Sequence, residues 1–526
     1  MVVLSFPPFD LRGLAWLALV PAVLAAGSGK RAFWPGYGFG ALYFGGTLWW
    51  IGHVTVAGMA ALSLYLALYP ALWFWVIARL WRRLDWSVGA NVAFGAMGAS
   101  LWVLLDWTRG WMLTGFTWNY LGTAVVGNVP LMQLAKLGGA HVLTWLVVFV
   151  NAMVARQIGK WSQKSGGRSQ EQGSASGRAD QTGVKPPRST YKRQPFYELY
   201  VALGLVTVCF TWGFREAMKP PQGREKSLRY ACIQPNVPQN AYRMEMDDGE
   251  ILERHYRLTT LAAQTRPELI IWPEATTSVD FTKDPVGAQP WQAVRGIEAC
   301  GLLMGTMEYE EDAVYNAAAY FAKGSDEIEL YRKNRLVMFG EYTPLANYFP
   351  VLRQLVPYAT DFSASPSPAV FVAGEERVRV APLICFEDTL ADFVRYVAVL
   401  EPDVFINMTN DSWFYNSPGA EQHLRNAILR TVETGLPMIR CGNTGVTCEI
   451  DTRGVVTARL ASASDKWSGL GEEGILVRQM RWRVGGPTLY QRWGEWIVGV
   501  SALVCIATFF RLRKNLAPRR KDAKNF

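Results

Sequence analysis

The chain has 526 residues, half of them hydrophobic and 13% aromatic, which is material for more than one domain and for several cores or spans. Its formal net charge is +9, but the basic residues gather beside apolar runs and in one polar segment. No helix-turn-helix, zinc-finger or RNA-binding signature accompanies them, so a nucleic-acid partner is excluded. Seven cysteines, scattered and without a C-x-x-C pair, exclude a disulfide framework and a structural zinc site, and four histidines leave little for a histidine-based metal centre.

The first ten residues lack a basic segment, so no cleaved signal peptide is expected. Apolar stretches able to cross a bilayer, which takes about 20 helical residues, lie near Leu11–Ala26, Phe33–Val56, Ala60–Trp81, Asn91–Trp107, Leu131–Ala155, Phe196–Phe214 and Trp493–Phe510. Buried helices of a large soluble protein fit one or two of these but not the set. Residues 1–218 therefore read as a polytopic, integral membrane α-helical domain, and residues 490–511 as a C-terminal transmembrane helix. The stretch "DWTRGWMLTGFTWNYLG" (Asp106–Gly122) carries Asp106 and Arg109 at a span end. Interfacial anchoring accounts for these charges together with the tryptophans. Contact with a substrate headgroup, through Arg109, Trp111 and Trp118, is the alternative.

Lys and Arg mark the cytoplasmic side of a span. They cluster at Lys30 and Arg31, at Arg79, Arg82 and Arg83, between Arg156 and Arg193, and in the closing "RLRKNLAPRRKDAK". All four clusters share one face if the spans alternate, which leaves Lys219–Arg492 outside the cytoplasm. Residues 157–194, almost without apolar content, are expected to be a flexible basic cytoplasmic linker, and 512–526 a basic cytoplasmic tail.

From Ser227 to about residue 480 the texture changes to short β-rich runs alternating with amphipathic stretches, an α/β pattern. Strands are predicted at "LRYACIQPNV", "ELIIWPEA", "GLLMGTME", "NAAAYFA", "EIELYRKN", "VRVAPLICFE", "DVFINMTND" and "MIRCGNTGVTCEID". Helices are predicted at "GEILERHYRLTTLAAQ" and "EQHLRNAILRTVETG". Three runs end on a reactive side chain: Glu274, Lys333 and Cys385. Taken singly, Cys385 is a small buried hydrophobe, Glu274 a solvated loop acid and Lys333 a surface charge. Together they form an acyl-transfer set, with a thiolate nucleophile whose pKa a nearby cation lowers, a carboxylate base and an ammonium for the oxyanion. His423 invites a Cys–His dyad, but it sits on a polar helix away from any strand end, and a structural or rim role is favoured. Cys441 and Cys448 read as buried strand residues.

"WPEAT", "YRKNRLVMFGEYTPL" and "PLICFE" resemble the Glu–Lys–Cys signature of the nitrilase, or carbon–nitrogen hydrolase, superfamily. With "IQPNVPQ", "TNDSWF", "GNTGVT" and "RGWMLTGFTW" added, nearly the whole chain outside the linker resembles the apolipoprotein N-acyltransferase family. The resemblance implies an α/β nitrilase-like αββα sandwich domain over residues 227–480, facing the periplasm on the membrane domain of a bacterial inner membrane. It implies transfer of an acyl chain from a phospholipid donor to the α-amine of a diacylglyceryl apolipoprotein acceptor, through a thioester on Cys385. Glu274 would be the base and Lys333 the oxyanion support, with Glu341 and Glu387 assisting, no metal or organic cofactor, and a monomeric chain. Asn410, Asp411 and Trp413 would shape the pocket, a plain turn being the alternative. The chain departs from the family pattern at Phe386, where Tyr is usual, at Tyr242–Arg243, where a Trp is expected, and at Met338, where Pro is common. It also has about seven spans rather than eight.

Overall fold

The computed structural model describes residues 1–29, 31–182, 196–238, 248–274, 280, 283, 300–325, 327–344, 346, 348, 350, 361–415, 417–460 and 471–514. The apolar runs of the first half wind into helices α1 (Val20–Ser28), α2 (Phe33–Thr47), α3 (Val56–Leu66), α4 (Leu68–Arg83), α5 (Val88–Arg109), α6 (Val129–Met132), α7 (Ala135–Thr182) and α8 (Tyr197–Met218). Helices α3 and α4 run on as one span beside Pro70, whose missing N–H weakens the join. By length and composition, four helices among the described residues can cross a membrane: Val56–Arg83, Val88–Arg109, Ala135–Ser162 and Tyr197–Met218. The other expected spans form shorter apolar helices. Leu11–Ala26 is split into a 3-10 turn, Arg12–Trp16, and α1, while Phe33–Val56 stops at Thr47 just after Gly45–Gly46 and continues as the 3-10 turn Trp49–His53. Hydropathy registers apolar content but not the glycines that end a helix.

Helix α7 continues into the basic segment as far as Thr182. Extending a helix already nucleated by packed residues costs far less than starting one. The rest of that segment, 183–194, lies outside the described residues.

Among the described residues, twelve strands form two six-stranded mixed sheets. The first holds β1 (Arg224–Gln234), β2 (Leu269–Ile271), β3 (Gly301–Tyr309), β4 (Val314–Phe321), β5 (Ile328–Arg332) and the late β12 (Gly474–Val484), in the order β12-β1-β2-β3-β4-β5. The second holds β6 (Phe371–Ala373), β7 (Val378–Ile384), β8 (Val404–Thr409), β9 (Met438–Gly442), β10 (Cys448–Ile450) and β11 (Val456–Arg459), with β7, β8 and β9 parallel. The first sheet extends the domain beyond 227–480, since β1 pairs with β12 from Arg224↔Val484 to Gln234↔Gly474.

Side-chain alternation builds the layers. Val378, Val380 and Ile384 of β7 pack with Val404, Ile406 and Met408 of β8 against Leu228, Tyr230, Cys232 and Ile271 of the first sheet. On the outer side of that sheet, Ala231, Ile233 and Ile270 meet Leu252, Leu258 and Ala262 of α9 (Asp248–Ala263). On the outer side of the second, Ala381, Leu383 and Phe405 meet α10 (Ala391–Ala398) and α11 (Gly419–Thr434), and the same apolar cluster runs on into the N-terminal helices. This is an αββα sandwich whose second helical layer is docked on the apolar helices. Two more helices, α12 (Leu489–Trp493) and α13 (Trp496–Lys514), close the described chain.

Candidate active site

Three strand ends converge at one edge of the sandwich. β2 is parallel to β1 and β3 and is followed at that edge by Trp272, Pro273 and Glu274. β5 runs in the same direction as β3, because each is antiparallel to β4, and delivers Lys333 just past its end. In the facing sheet β7 stops at Ile384, and Cys385 opens a 3-10 turn, Cys385–Thr389.

Lys333 is 1% exposed, with Nζ 2.7 Å from Glu341 Oε1 and 3.3 Å from Glu274 Oε1. Asn316 of β4 donates through Nδ2 to the same two oxygens, at 3.1 Å and 2.8 Å respectively. The outer oxygens are held as well. Glu274 Oε2 accepts the Asn410 N–H at 2.8 Å, and Glu341 Oε2 accepts the Val337 N–H at 2.8 Å. Burial disfavours the charged lysine, yet Glu341 and then Glu274 outweigh it, so the Lys333 pKa is raised and the side chain stays an ammonium.

Cys385 behaves differently from the sequence-based expectation. The residue is partly open to solvent, but the protein mass around it makes burial the leading influence on its thiol. The charge of Glu274 adds to burial and that of Lys333 opposes it; the net push is well above the usual thiol range. Lys333 does lower the thiol pKa, but burial first and the Glu274 charge second outweigh it. Cys385 therefore rests as a neutral thiol, and a base must take its proton as it attacks.

The Cys385 backbone lies at φ 51°, in the left-handed region, a conformation that costs about 1–3 kcal/mol for a non-glycine residue. Glu387, fully buried, supplies the restraint. Its Oε2 accepts the Ile384 N–H at 2.7 Å and the Tyr331 hydroxyl at 2.6 Å; its Oε1 accepts the N–H of Asn334 at 2.7 Å and of Arg335 at 3.1 Å. One carboxylate thus ties the Cys385 turn to the chain that follows Lys333. Burial still leaves the Glu387 pKa raised, although its hydrogen-bond donors and Lys333 all act to lower it. Phe386 packs against the apolar cluster shared with the N-terminal helices, where a ring without a hydroxyl fits.

Behind the turn lies a charged group out of solvent. Arg440 donates to Asp388 at 2.6 Å and to Asp411 at 3.0 Å, while His423 bridges Asp388 at 2.8 Å and Asp411 at 2.9 Å. Burial works against ionisation of Asp411, but Arg440 and His423 outweigh it and hold its carboxyl at about 2. His423 is fully buried, so its role is structural and not at the rim.

The other expected site residues are spread more widely, although the Asn410 N–H reaches Glu274. Arg109 is 1% exposed: it pairs with Asp106 at 3.0 Å, donates to the carbonyls of Phe116 and Trp118 at 2.9 Å, and lies over the Tyr120 ring. Arg109 is thus held inside the helix bundle by Asp106 and by the loop that follows it. Trp118 is likewise buried, its Nε1 donating to Gln422 at 2.9 Å. Trp111 is exposed beside Trp107, and Trp413 is half-buried in the turn Asp411–Phe414. Asn410 caps that turn by accepting from Ser412. Tyr242 lies outside the described residues. Asn316, Arg440 and Asn407, whose Nδ2 donates to the Cys385 carbonyl at 3.0 Å, were not anticipated. Their signal was present, because each polar strand residue in "VYNAAAYF", "FINMT" and "MIRCG" needs a partner once buried.

Two family models match the chain: Carbon-nitrogen hydrolase over residues 229–468, and Apolipoprotein N-acyltransferase N-terminal domain over residues 1–153. Together with the paired sheets, the first makes this an enzyme of the carbon–nitrogen hydrolase superfamily. A solved amidase from Nesterenkonia sp. overlaps only weakly, at 15% identity and a TM-score of 0.36 over 52% of this chain and 96% of its own. Apolipoprotein N-acyltransferase of Azotobacter vinelandii is 31% identical over 98% of this chain and 94% of its own. That of Allorhizobium ampelinum is 31% identical over 82% and 78%, and that of Geobacter metallireducens 29% identical over 98% and 94%. The chain belongs to the apolipoprotein N-acyltransferase family.

Proposed function

We propose that the chain acylates lipoproteins by a two-step exchange at Cys385. Glu274 takes the thiol proton as sulfur attacks the carbonyl carbon of a phospholipid acyl ester. The ester C–O bond breaks, the proton passes to the leaving alkoxide, and lysophospholipid departs from a thioester on Cys385. The α-amine of a diacylglyceryl-cysteine N-terminus then attacks the thioester, its proton passes through Glu274, and the C–S bond breaks to restore the thiol. Lys333, kept charged by its two carboxylates, stabilises the oxyanion in both steps. Glu341 positions Lys333, Glu387 positions Cys385, and Asn410, Trp413 and the exposed Trp111 lie on the substrate side.

The observation that carries this reading is the buried Glu274–Lys333–Glu341 group at the sheet edge where the backbone-strained Cys385 sits, on a sandwich docked against apolar helices. Both substrates carry acyl chains that leave a bilayer only at about 0.8 kcal/mol per methylene, so nucleophile and membrane must be adjacent. The basic clusters support a sandwich on the periplasmic face of the inner membrane.

Steady-state kinetics with a phospholipid and a diacylglyceryl peptide test it. Parallel lines in double-reciprocal plots are expected. Intersecting lines, or turnover of short soluble amides with no need for lipid, would instead favour a membrane-anchored amidase.

A further inference from the structure

A cavity of about 380 Å³ lies where the N-terminal segment, the residues just before α7 and helix α11 meet. None of the residues assigned above to the Cys385 site lines it. Part of its wall is apolar, with Val126, Met132 and Leu424, but it also holds Arg12, Arg425 and Arg459 with Asp10 and Glu421.

Asp10 pairs with both Arg12 and Arg425, and Glu421 pairs with Arg459. Three guanidiniums thus face two carboxylates, which leaves one positive charge in excess. That excess has a location. Arg425 is 5% exposed, and its Nη1 is buried with no hydrogen-bond partner among the described residues. A buried donor without an acceptor costs free energy that an incoming acceptor returns. Arg12 is fixed as part of the wall: it donates to the Val126 carbonyl and occupies the space a Cβ would need at Gly127, a residue at φ +99°.

The height of the cavity bears on its ligand. The apolar helices Arg12–Gly27 and Ala135–Ser162 both begin beside it, so it sits where hydrocarbon gives way to headgroups. We infer that this cavity binds a phosphate-bearing anion, most readily supplied by the phosphodiester of a membrane phospholipid, at a site separate from the Cys385 pocket. One phosphodiester carries the single negative charge that the arginines lack, a guanidinium edge matches its paired oxygens, and the apolar wall takes the glycerol end. The site stands whether or not its lipid is also the acyl donor.

The test is site-resolved photolabelling of the full chain in detergent with a phosphatidylglycerol bearing a diazirine next to the headgroup, read by peptide mass spectrometry. Labels are expected on peptides containing Val126–Met132 or Leu424–Ile428. Labelling should fall about tenfold in Arg425→Gln, which removes a charged hydrogen bond, and also in Leu424→Trp, which fills the cavity and leaves the ion pairs in place. Displacement by unlabelled phosphatidylglycerol but not by millimolar inorganic phosphate assigns the lipid as the source. Displacement by inorganic phosphate alone assigns the free anion. Unchanged labelling in both variants, no label on these peptides, or equal labelling by a diazirine diacylglycerol without phosphate overturns the inference.

Discussion

At the scale of single residues, the chemistry turns on how charge is shared. Burial and the Glu274 charge outweigh Lys333 at Cys385, so the thiol is expected to stay neutral near pH 7. Alkylation of Cys385 by a small soluble reagent should accordingly be slow at neutral pH and rise only above the ordinary thiol range, as measured by the rate of mass labelling; fast labelling near pH 7 would contradict this. Glu387 makes no contact with reacting atoms, but it holds the nucleophile turn and the Lys333 strand end in register. Glu387→Gln replaces an acceptor with an amide donor against several N–H groups. Turnover should drop on the order of a hundredfold, as a displacement of about 1 Å can produce, while KM changes little.

At the scale of elements, the positions of Glu274, Lys333 and Cys385 were legible because short strand-forming runs stop just before each of them. The Glu387 hydrogen bonds were not, because all their partners except Ile384 come from or just after a strand of the other sheet. Helix α11 was legible as a helix but not as a buried one. Its polar residues look solvated, yet all but Glu421 are buried, their partners drawn from remote parts of the chain. Arg109 is held in a similar way, paired with an Asp three residues earlier and donating to loop carbonyls within the helix bundle. The Asp388–Asp411–His423–Arg440 group couples α11 to the loops that carry the site, and it gives a pH signature. Asp411 is lowered from 3.8 to about 2, so its stabilisation is fully present above its unfolded value and is lost as pH falls through that interval. Its share is about 2 kcal/mol. Thermal midpoints followed from about pH 5 to pH 2 should fall, and in Asp411→Asn that slope should flatten from a lower starting midpoint.

At the scale of the whole molecule, the sandwich and the apolar helices are joined by polar bolts set in one continuous apolar cluster. Gln422 of α11 accepts from Trp50 at 3.1 Å, Trp118 at 2.9 Å and Asn119 at 3.1 Å, and donates to the carbonyls of Pro7 and Thr47 at 3.2 Å and 3.0 Å. Glu433 accepts the Ala140 N–H at 2.8 Å, a group that the Gly138–Gly139 break in α7 leaves open. Gln422→Ala should strand these donors and acceptors and cost about 3 kcal/mol, seen as a lower melting midpoint and faster proteolysis between the two parts. Composition gave no hint of this joint, because a glutamine in a polar helix has no visible partner until the fold brings one.

The central claim is that Cys385 carries the acyl chain between lipid and lipoprotein. Intact-mass and peptide mass spectrometry of the full chain, incubated with a phospholipid of known acyl composition, tests it most directly. The account predicts one acyl group on Cys385, discharged by a diacylglyceryl peptide and absent from Cys385→Ala. Full transfer by Cys385→Ala, or an acyl group that resides on another side chain, would contradict it.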